Sequence, residues 1–300
     1  MKPAPVDYVA AGSLEEALSL LAEHGSDAKP LAGGQSLIPL LNFRLARPTV
    51  LVDLNRLEEL AYVRGGNGGG LSLGAMTRHA TLESDPLVAR EAPLLSAAAG
   101  HIAHPQIRNR GTLGGTLAHA DPAAELPVVS VALGARFRIA RAGGERWAEA
   151  AEFFVGLLTA DLQPGELVVE VTVPAMPPGS GWAFHELARR TGDYAHAGVA
   201  AVLTRSGDAC SRARLVYLSL GDGPMRARRA EQLLVAQGVS ESTIDEAAAL
   251  AASSEIEPSG DIHASEAYKR HLARVLTRRA LAEAWRRAGD AAGEASGGSA

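Results

Sequence analysis

Two adjacent glycines follow an apolar run near the start of the chain, in Ala32-Gly33-Gly34-Gln35-Ser36. We predict a strand, a tight turn and a helix start here, with Ser36 as the N-cap and Pro39 accommodated in the first turn. Glycine has no Cβ, so backbone amides can come close to a ligand, and amides at a helix N-terminus suit an anion such as a pyrophosphate. Taken alone, these five residues fit an ordinary strand-to-helix turn better than an anion site.

A second glycine stretch, Gly-Thr-Leu-Gly-Gly at 111–115, lies in a segment rich in Thr, Asn and His. We predict a loop here, followed by a helix with Pro122 near its start and Glu125 in its first turns. Two such turns in one domain are harder to explain as ordinary connections, and the bare backbone amides and hydroxyls of both could converge on one polar ligand. The glycines at 65–70 lack the G-x-G-x-x-G spacing and precede a strand, so they predict a hairpin turn.

Hydrophobic periodicity divides the chain into two parts. The first part begins with a β-α-β-α-β unit over 6–55, which ends in a near-continuous apolar strand at 48–54, as expected of a strand buried on both faces. It continues with strands at 61–64, 71–75, 136–140 and 166–173 and helices at 77–90, 93–102 and 151–158. The best linker is the Pro/Gly-rich stretch 174–181.

The second part reads as an α+β layer. Strands at 181–187, 195–204 and 213–220 precede helices at 227–237, 243–253 and 265–287. The Gly/Ala/Ser-rich residues 288–300 predict a disordered tail.

Composition excludes several classes of protein. A length of 300 residues suggests two domains, and 47% hydrophobic residues supply a full core. The net charge of −5, with both signs interspersed, argues against nucleic-acid binding. One cysteine, Cys210, can form neither an internal disulfide nor an iron–sulfur cluster of the chain's own. The start lacks a signal-peptide core and no apolar run reaches ~18 residues, so we expect a soluble cytoplasmic protein.

Several polar side chains near the second glycine stretch allow more than one role. His101 and His104 lie three residues apart, but without a third ligand nearby we favour capping or core roles over a metal site. Arg108 and Arg110 fit phosphate partners and a solvated face equally well. A Ser-His-Asp signature, a P-loop and an H-E-x-x-H motif are all absent from the sequence.

Residues 32–36 and 111–115, together with Arg190-Thr-Gly-Asp-Tyr194, resemble the FAD-binding medium subunit of molybdenum hydroxylases, with the carbon monoxide dehydrogenase type as the nearest form. The same module is the middle domain of xanthine dehydrogenase. The resemblance covers nearly the whole chain. It implies an α+β fold, with a two-lobed α/β FAD-binding domain of the PCMH or vanillyl-alcohol-oxidase type (lobes 1–56 and 57–177). A smaller α+β domain with a three-stranded antiparallel sheet and helices follows at 178–287.

The resemblance also implies how non-covalent FAD is held. The pyrophosphate would lie on residues 29–37, that is Lys29, Leu31, Ala32, Gly33, Gly34, Gln35, Ser36 and Leu37. The opposite side would be Thr112, Gly114, Gly115 and Ala118, and the remaining members of the set are Ile102, Ile107, Gly111, Ala120 and Asp121. Glu125 would bind a ribityl or ribose hydroxyl, and Leu167 would pack on the adenine or flavin ring.

Two further positions in the implied site lie in the second domain. Tyr194 would lie near the isoalloxazine, and His185 takes a position that is often basic in relatives. The redox chemistry belongs to FAD, so no residue of the chain is assigned a catalytic or metal-binding role.

The implied function is an oxidoreductase subunit of a three-subunit molybdenum hydroxylase. FAD would take electrons from a small iron–sulfur subunit and pass them to an external acceptor. The molybdopterin would lie on a large subunit, and the complex would be a dimer of heterotrimers. It would be cytoplasmic or peripheral at the inner membrane. The alternatives are a stand-alone FAD-dependent NAD(P)H oxidoreductase and an interaction subunit that has lost FAD. The substrate and the acceptor are not encoded in recognisable motifs of this chain.

Overall fold

The computed structural model describes residues 2–66 and 68–297, with side chains described through residue 291. The first lobe is a parallel sheet in the order β1-β3-β2, and it confirms the predicted β-α-β-α-β unit. Its elements are β1 Asp7–Ala10, α1 Leu14–His24, β2 Ala28–Leu31, α2 Leu37–Asn42 and β3 Val50–Asp53. The Ser13 hydroxyl caps α1 by accepting from the Glu16 amide, and all four residues of β3 are buried. Short 3-10 turns lie at Gly25–Asp27 and Glu58–Leu60.

The second lobe is an antiparallel five-stranded sheet in the order β4-β5-β10-β6-β7, covered by short helices. The strands are β4 Val63–Gly65, β5 Leu71–Gly74, β6 Arg136–Arg141, β7 Gly144–Glu149 and β10 Leu167–Val173. The helices are α3 His79–Ser84, α4 Pro86–Glu91, α5 Pro93–Ala99, α6 Pro105–Arg108, α7 Leu113–His119, α8 Glu125–Leu133 and α9 Ala150–Phe153. A small hairpin, β8 Phe154–Gly156 and β9 Thr159–Ala160, follows α9.

Two predicted helices of this lobe are wrong in extent. The helix expected over 77–90 is split into α3 and α4, because the Asp85 carboxylate accepts from the Leu87 and Val88 amides and Pro86 starts a new helix. The helix expected over 151–158 ends at Phe153, where the chain turns into β8.

The C-terminal part is an antiparallel sheet in the order β11-β12-β13-β14, covered on one face by three helices. The strands are β11 Ser180–Ala188, β12 Ala195–Ser206, β13 Ala209–Leu218 and β14 Met225–Arg226. The helices are α10 Arg228–Gln237, α11 Glu241–Ser254 and α12 Glu266–Gly297. The predicted three strands are present, and the two-residue strand β14 adds an edge that is too short to show a period.

The final helix is longer than predicted. It runs through residues 288–297, which we expected to be disordered, and residues 298–300 lie outside the described part. Ala288 is fully buried, and Arg287 donates to the Trp182 carbonyl at 2.8 Å. These contacts with β11 stabilise a helix end whose composition alone favours disorder. Among the described residues no helix combines the length and apolarity needed to cross a membrane.

One hydrophobic core joins the two parts of the chain. The face of the C-terminal sheet opposite α10–α12 carries Phe184, Val202 and Leu218, which pack in the same buried cluster as α8 and the second lobe. Every residue of α8 from 126 to 133 is buried, because this helix lies between the second lobe and β12–β13.

Gly181 allows α12 to approach β11 closely. A Cβ at this position would lie 2.9 Å from the Arg287 carbonyl carbon and still closer to the Ala284 oxygen. We expect Gly181→Ala to lower the free energy of unfolding by about 1–3 kcal/mol, because backbone must move to admit the methyl group. Gly156→Ala is the control, since nothing lies within 4 Å of its Cβ position. Equal urea midpoints for the two variants would contradict the close packing.

Candidate cofactor-binding site

The two glycine stretches touch each other. Gly33 is buried, and a Cβ on it would lie 2.8 Å from the Gly111 Cα and closer still to the Arg110 carbonyl oxygen. A Cβ on Gly115 would lie 3.5 Å from the Ala32 Cβ. The turn after β2 and the segment before α7 therefore form one surface, and glycine at position 33 permits the approach.

A half-buried arginine, Arg78, bridges the two stretches. Arg78 donates to the Arg110 carbonyl and, at 2.7 Å, to the Asn55 side-chain oxygen. Asn55 in turn donates to the Ala32 carbonyl at 2.9 Å. Burial, together with the charge of Arg110, lowers the pKa of Arg78, which still carries its positive charge at neutral pH. The hydrogen bonds of Arg78 and Asn55 thus hold the backbone of both glycine stretches in place.

Asp53 anchors this network at the end of β3. Its carboxylate accepts from the Asn55 amide at 2.9 Å and from the Tyr8 hydroxyl. Burial opposes ionisation of Asp53, but the hydrogen bonds from Tyr8 and Asn55 outweigh it and lower the pKa of the carboxyl. The sequence analysis missed these residues. The available signal was the pair of polar residues Asp53 and Asn55 at the end of a buried parallel strand, where ligand sites of α/β folds lie.

The amides of the first turn are unpaired. In the described part of the chain, the N–H groups of residues 33–36 donate to no protein group, while the Gly33 carbonyl accepts from the Gln35 side chain at 2.8 Å. The predicted capping role of Ser36 is wrong. Its backbone is already helical (φ −103°, ψ −44°), and its hydroxyl makes no capping bond. Backbone amides are strong donors, so this turn offers several of them to an anion or to water.

The glycine amides of the second stretch are hydrogen-bonded, whereas we predicted that they would be free. Gly114 and Gly115 lie in the first turn of α7, and their amides donate to the Ala75 carbonyl at 2.7 Å and the Thr112 hydroxyl at 3.2 Å. A Cβ on Gly114 would lie 2.6 Å from the Ala75 Cβ. These glycines therefore serve close packing of α7 on the end of β5, and the helix containing Glu125 is a separate one.

A buried histidine, missed in the sequence, supports this stretch. The His79 Nε2 lies 3.0 Å from the Thr112 carbonyl and 2.9 Å from the Thr116 hydroxyl, and its ring packs against Gly111. Burial lowers the pKa of His79 to about 4, so the ring is neutral at physiological pH. A neutral ring fills the space behind Gly111 without adding charge.

The sequence left open whether Arg108 binds a phosphate or lies on a solvated face, and its contacts decide this. It pairs with Glu83 at 2.7 Å and donates to the Ile102 carbonyl at 2.9 Å, so it braces the loop before α6 rather than facing a phosphate. Arg110 is exposed beside the glycine contact. His104 packs against Gly192, whose Cβ would lie 2.5 Å from the His104 Nδ1.

That contact brings the β11–β12 loop to the second lobe. Tyr194, in this loop, is 74% exposed. Partial desolvation and the nearby charges of Asp121 and Glu125 raise the pKa of Tyr194. The structure therefore places Tyr194 near the start of α8, where an exposed ring is available to a ligand.

Glu125 is the first residue of α8 and is half-buried. Burial, together with the charge of Glu186, raises the pKa of Glu125 to about 8. Glu186 was also missed. It lies on β11 with its Oε1 3.3 Å from the His101 Nδ1, on the sheet face that packs against the second lobe.

His185 is not part of this cluster. Side chains alternate along β11, so His185 faces α12, where its Nε2 lies 2.8 Å from the Glu283 carboxylate. The strand was predicted correctly, and the predicted role of His185 at the cofactor stays a prediction.

The other predicted positions differ in how far they are exposed. Lys29 and Ala118 are exposed, whereas Ile102 and Ala120 are buried, and Ala120 ends α7 with φ 52°. Asp121 accepts from the Ala123 amide at 2.8 Å. Leu167 is 5% exposed in the core of the first lobe, and its contact with a ring stays a prediction. Leu31, Leu37 and Ile107 are half-buried.

The raised pKa of the Glu125 carboxyl predicts a pH-dependent loss of stability. The folded chain keeps its proton up to about pH 8, whereas the unfolded chain loses it near 4.5. Stability should therefore fall as pH rises between these values, by up to about 1.4 kcal/mol per pH unit. Denaturation of wild type and Glu125→Gln across this range should show the variant gaining on wild type as pH rises. A constant difference, matching that of the exposed Glu152→Gln, would contradict the raised pKa.

Comparisons of the sequence with known proteins identify two matching families and a close relative. Residues 4–176 match the family described as the FAD binding domain in molybdopterin dehydrogenase, and residues 182–284 match the CO dehydrogenase flavoprotein C-terminal domain. The 6-hydroxypseudooxynicotine dehydrogenase complex subunit alpha of Paenarthrobacter nicotinovorans is 48% identical, covering 96% of this chain and 97% of that protein.

Solved structures extend the similarity to the whole fold. Carbon monoxide dehydrogenase from Hydrogenophaga pseudoflava aligns with a TM-score of 0.92 at 40% identity, covering 96% of this chain and 99% of that one. Quinoline 2-oxidoreductase from Pseudomonas putida 86 aligns with a TM-score of 0.90 at 41% identity, covering 97% and 100%. These matches confirm the expected α+β fold, and the chain belongs to the family of FAD-binding medium subunits of molybdenum hydroxylases, as an oxidoreductase subunit with FAD as its cofactor.

Proposed function

We propose that the chain is the electron-transfer subunit of a three-subunit molybdenum hydroxylase. It takes electrons from an iron–sulfur subunit and passes them to an external acceptor. The observation that carries the proposal is the surface formed by residues 33–36 against 110–111, where the amides of 33–36 have no partner among the residues that the structure describes. Such donors suit the pyrophosphate of FAD.

The residues around this surface fit FAD. The amides of residues 33–36 would hold the pyrophosphate, with Arg78 and Asn55 keeping both walls in place. Glu125 would meet a hydroxyl of the sugar chain, and the exposed Tyr194 would cover the ring system. When bound, FAD supplies the capacity to accept and release electrons, and the protein supplies position and exclusion of water.

The remaining parts of the complex belong to other chains in this proposal. The single cysteine, Cys210, is buried, so iron–sulfur clusters come from a small subunit and molybdopterin from a large one. A dimer of such heterotrimers is the proposed assembly. We place the boundary between the FAD-binding domain and the C-terminal domain at 177/178, which the matched ranges 4–176 and 182–284 support.

Gly33→Ala tests the cofactor surface directly. The added methyl group would collide with the Arg110–Gly111 backbone and push the two walls apart. We expect the dissociation constant for FAD to rise at least about tenfold, corresponding to 1.4 kcal/mol. Flavin absorbance and fluorescence titration of the chain expressed alone give the measurement. Gly144→Ala is the control, because its Cβ position is 4.0 Å from its nearest neighbour. Equal FAD affinity in both variants, with both folded by circular dichroism, would contradict the proposed surface.

Purification from the native source tests the assembly. We expect the chain to co-elute with an iron–sulfur subunit and a molybdopterin subunit in stoichiometric amounts. Recovery of a lone monomer that oxidises NADH would instead support the stand-alone oxidoreductase.

A further inference from the structure

A small groove opens on the surface of the C-terminal domain, where β11 ends and α12 begins. It has a volume of about 370 Å³. Its walls come from the end of β11, the start of β12, the α11–α12 loop and the first turn of α12, and the lining residues used below are Leu187, Arg189, His196, Ile262, His263 and Tyr268. We call it the Ile262 groove. Its three large apolar side chains are all exposed, and such a cluster is typical of an interaction site.

A β-bulge places His196 in the groove. Leu187 pairs with Ala197 and Ala188 pairs with Ala195, so His196 is the extra residue of β12. A bulge redirects a side chain, and bulges are frequent beside functional sites. The centroid of the His196 ring lies 6.2 Å from that of the His263 ring on the α11–α12 loop. Two imidazoles, which can donate N–H groups to carboxylates, therefore lie side by side in one wall.

Ile262 is an apolar side chain that the protein holds out to solvent. It is 94% exposed. The loop around it is nevertheless fixed, because the Asp261 carboxylate accepts from the His263 amide at 2.7 Å and the Ala264 amide at 2.9 Å. The other oxygen of Asp261 accepts from the Lys269 ammonium group at 2.7 Å. A side chain that is already ordered loses little entropy on binding, so Ile262 is suited to anchor a partner.

The charge around the groove is positive. Arg189 lines it and forms no ion pair among the residues that the structure describes, and no acidic residue lines the groove. The carboxylates nearby are already used, since Asp261 pairs with Lys269 at 2.7 Å and Glu266 pairs with Arg270 at 2.9 Å. The complement of this groove is therefore an apolar contact surrounded by carboxylates.

The groove adjoins the loop that reaches the candidate cofactor site. The β11–β12 loop, residues 189–194, begins in the groove with Arg189 and ends at Tyr194, and its Gly192 packs on His104 of the second lobe. The loop contains two arginines and one aspartate. A molecule in the groove would therefore contact the same short loop as the exposed Tyr194 ring, which is proposed to cover the ring system of FAD.

We propose that the Ile262 groove is the docking site of the external electron acceptor, and that this acceptor is a protein with carboxylates around an apolar centre. The inference rests on the proposed electron-transfer function. Permanent subunit contacts are large and apolar, whereas a small apolar centre with a charged rim is typical of a transient electron-transfer encounter. Each acceptor molecule leaves with one electron, so two dock in turn for each reduced cofactor, and the two protons of that cofactor pass to solvent.

The experiment follows reoxidation of the photoreduced, FAD-loaded full chain by cytochrome b5, an acidic one-electron acceptor, in a stopped-flow spectrometer. The bimolecular rate constant should fall as ionic strength rises. At low salt Arg189→Glu should lower it at least about tenfold, because the attraction becomes repulsion. Ile262→Ser should lower it at least about fivefold, because the apolar anchor is lost. Arg212→Glu is the matched control, since Arg212 is exposed on β13 and pairs with Thr204 near the opposite end of the sheet.

Reoxidation by benzoquinone, a small neutral acceptor, should be equal in all four proteins. A second readout needs no FAD, because calorimetry gives the affinity of the apo-chain for cytochrome b5, which should fall in Arg189→Glu and Ile262→Ser but not in Arg212→Glu. The groove variants would overturn the proposal if they matched Arg212→Glu, or if their benzoquinone rates fell equally.

Two further outcomes would also overturn the proposal. One is a wild-type chain without measurable affinity for cytochrome b5. The other is loss of that affinity in the complex purified from the native source, which would assign the groove to a contact with another chain of the complex. A chain that binds no FAD would overturn the proposed function instead, and the apo-chain affinities would then still decide whether the groove docks an acidic protein.

Discussion

The approach of Gly33 to the Arg110–Gly111 backbone is the contact on which the site depends. It joins a parallel β-α-β-α-β lobe to an antiparallel lobe, two units that share no strand. Because the surface is made of backbone from both lobes, its shape depends on their relative position. The Tyr8–Asp53–Asn55–Arg78 chain of hydrogen bonds holds that position from the carboxyl ends of β1 and β3. The site is therefore held in shape by polar side chains that need not touch the cofactor.

Much of the architecture follows from local pattern. Apolar strands, helix caps and the Pro/Gly linker have short-range causes, and the sequence analysis placed them within a few residues. The first glycine turn was also predicted as a tight connection between a strand and a helix, because paired glycines after an apolar run are typical of such a turn. The helix break at Asp85-Pro86 had a local signal too, a capping aspartate followed by proline, which the apolar periodicity concealed.

What failed depends on tertiary contacts. The amides of Gly114 and Gly115 were expected to be free, yet they are used by β5 and by Thr112, and nothing near them in the sequence encodes that. His185 and Glu186 are neighbours on β11 but occupy opposite faces, so the register of the strand decides which side chain faces α12 and which faces the second lobe. The helix α12 continues past residue 287 where its contacts with β11 hold it, although the composition that follows resembles a linker.

The hydrophobic core shared by α8, the second lobe and the C-terminal sheet couples the folding of the two domains. The linker 174–179 separates two domains along the chain, but Phe184, Val202 and Leu218 bury their side chains in the first domain's core. Removing the C-terminal domain would expose α8 along most of its length. Cleaving the linker, by contrast, would break one connection and leave the hydrophobic contact intact. The linker therefore separates two domains in the sequence but not two cooperative folding units. We expect the two domains to unfold together.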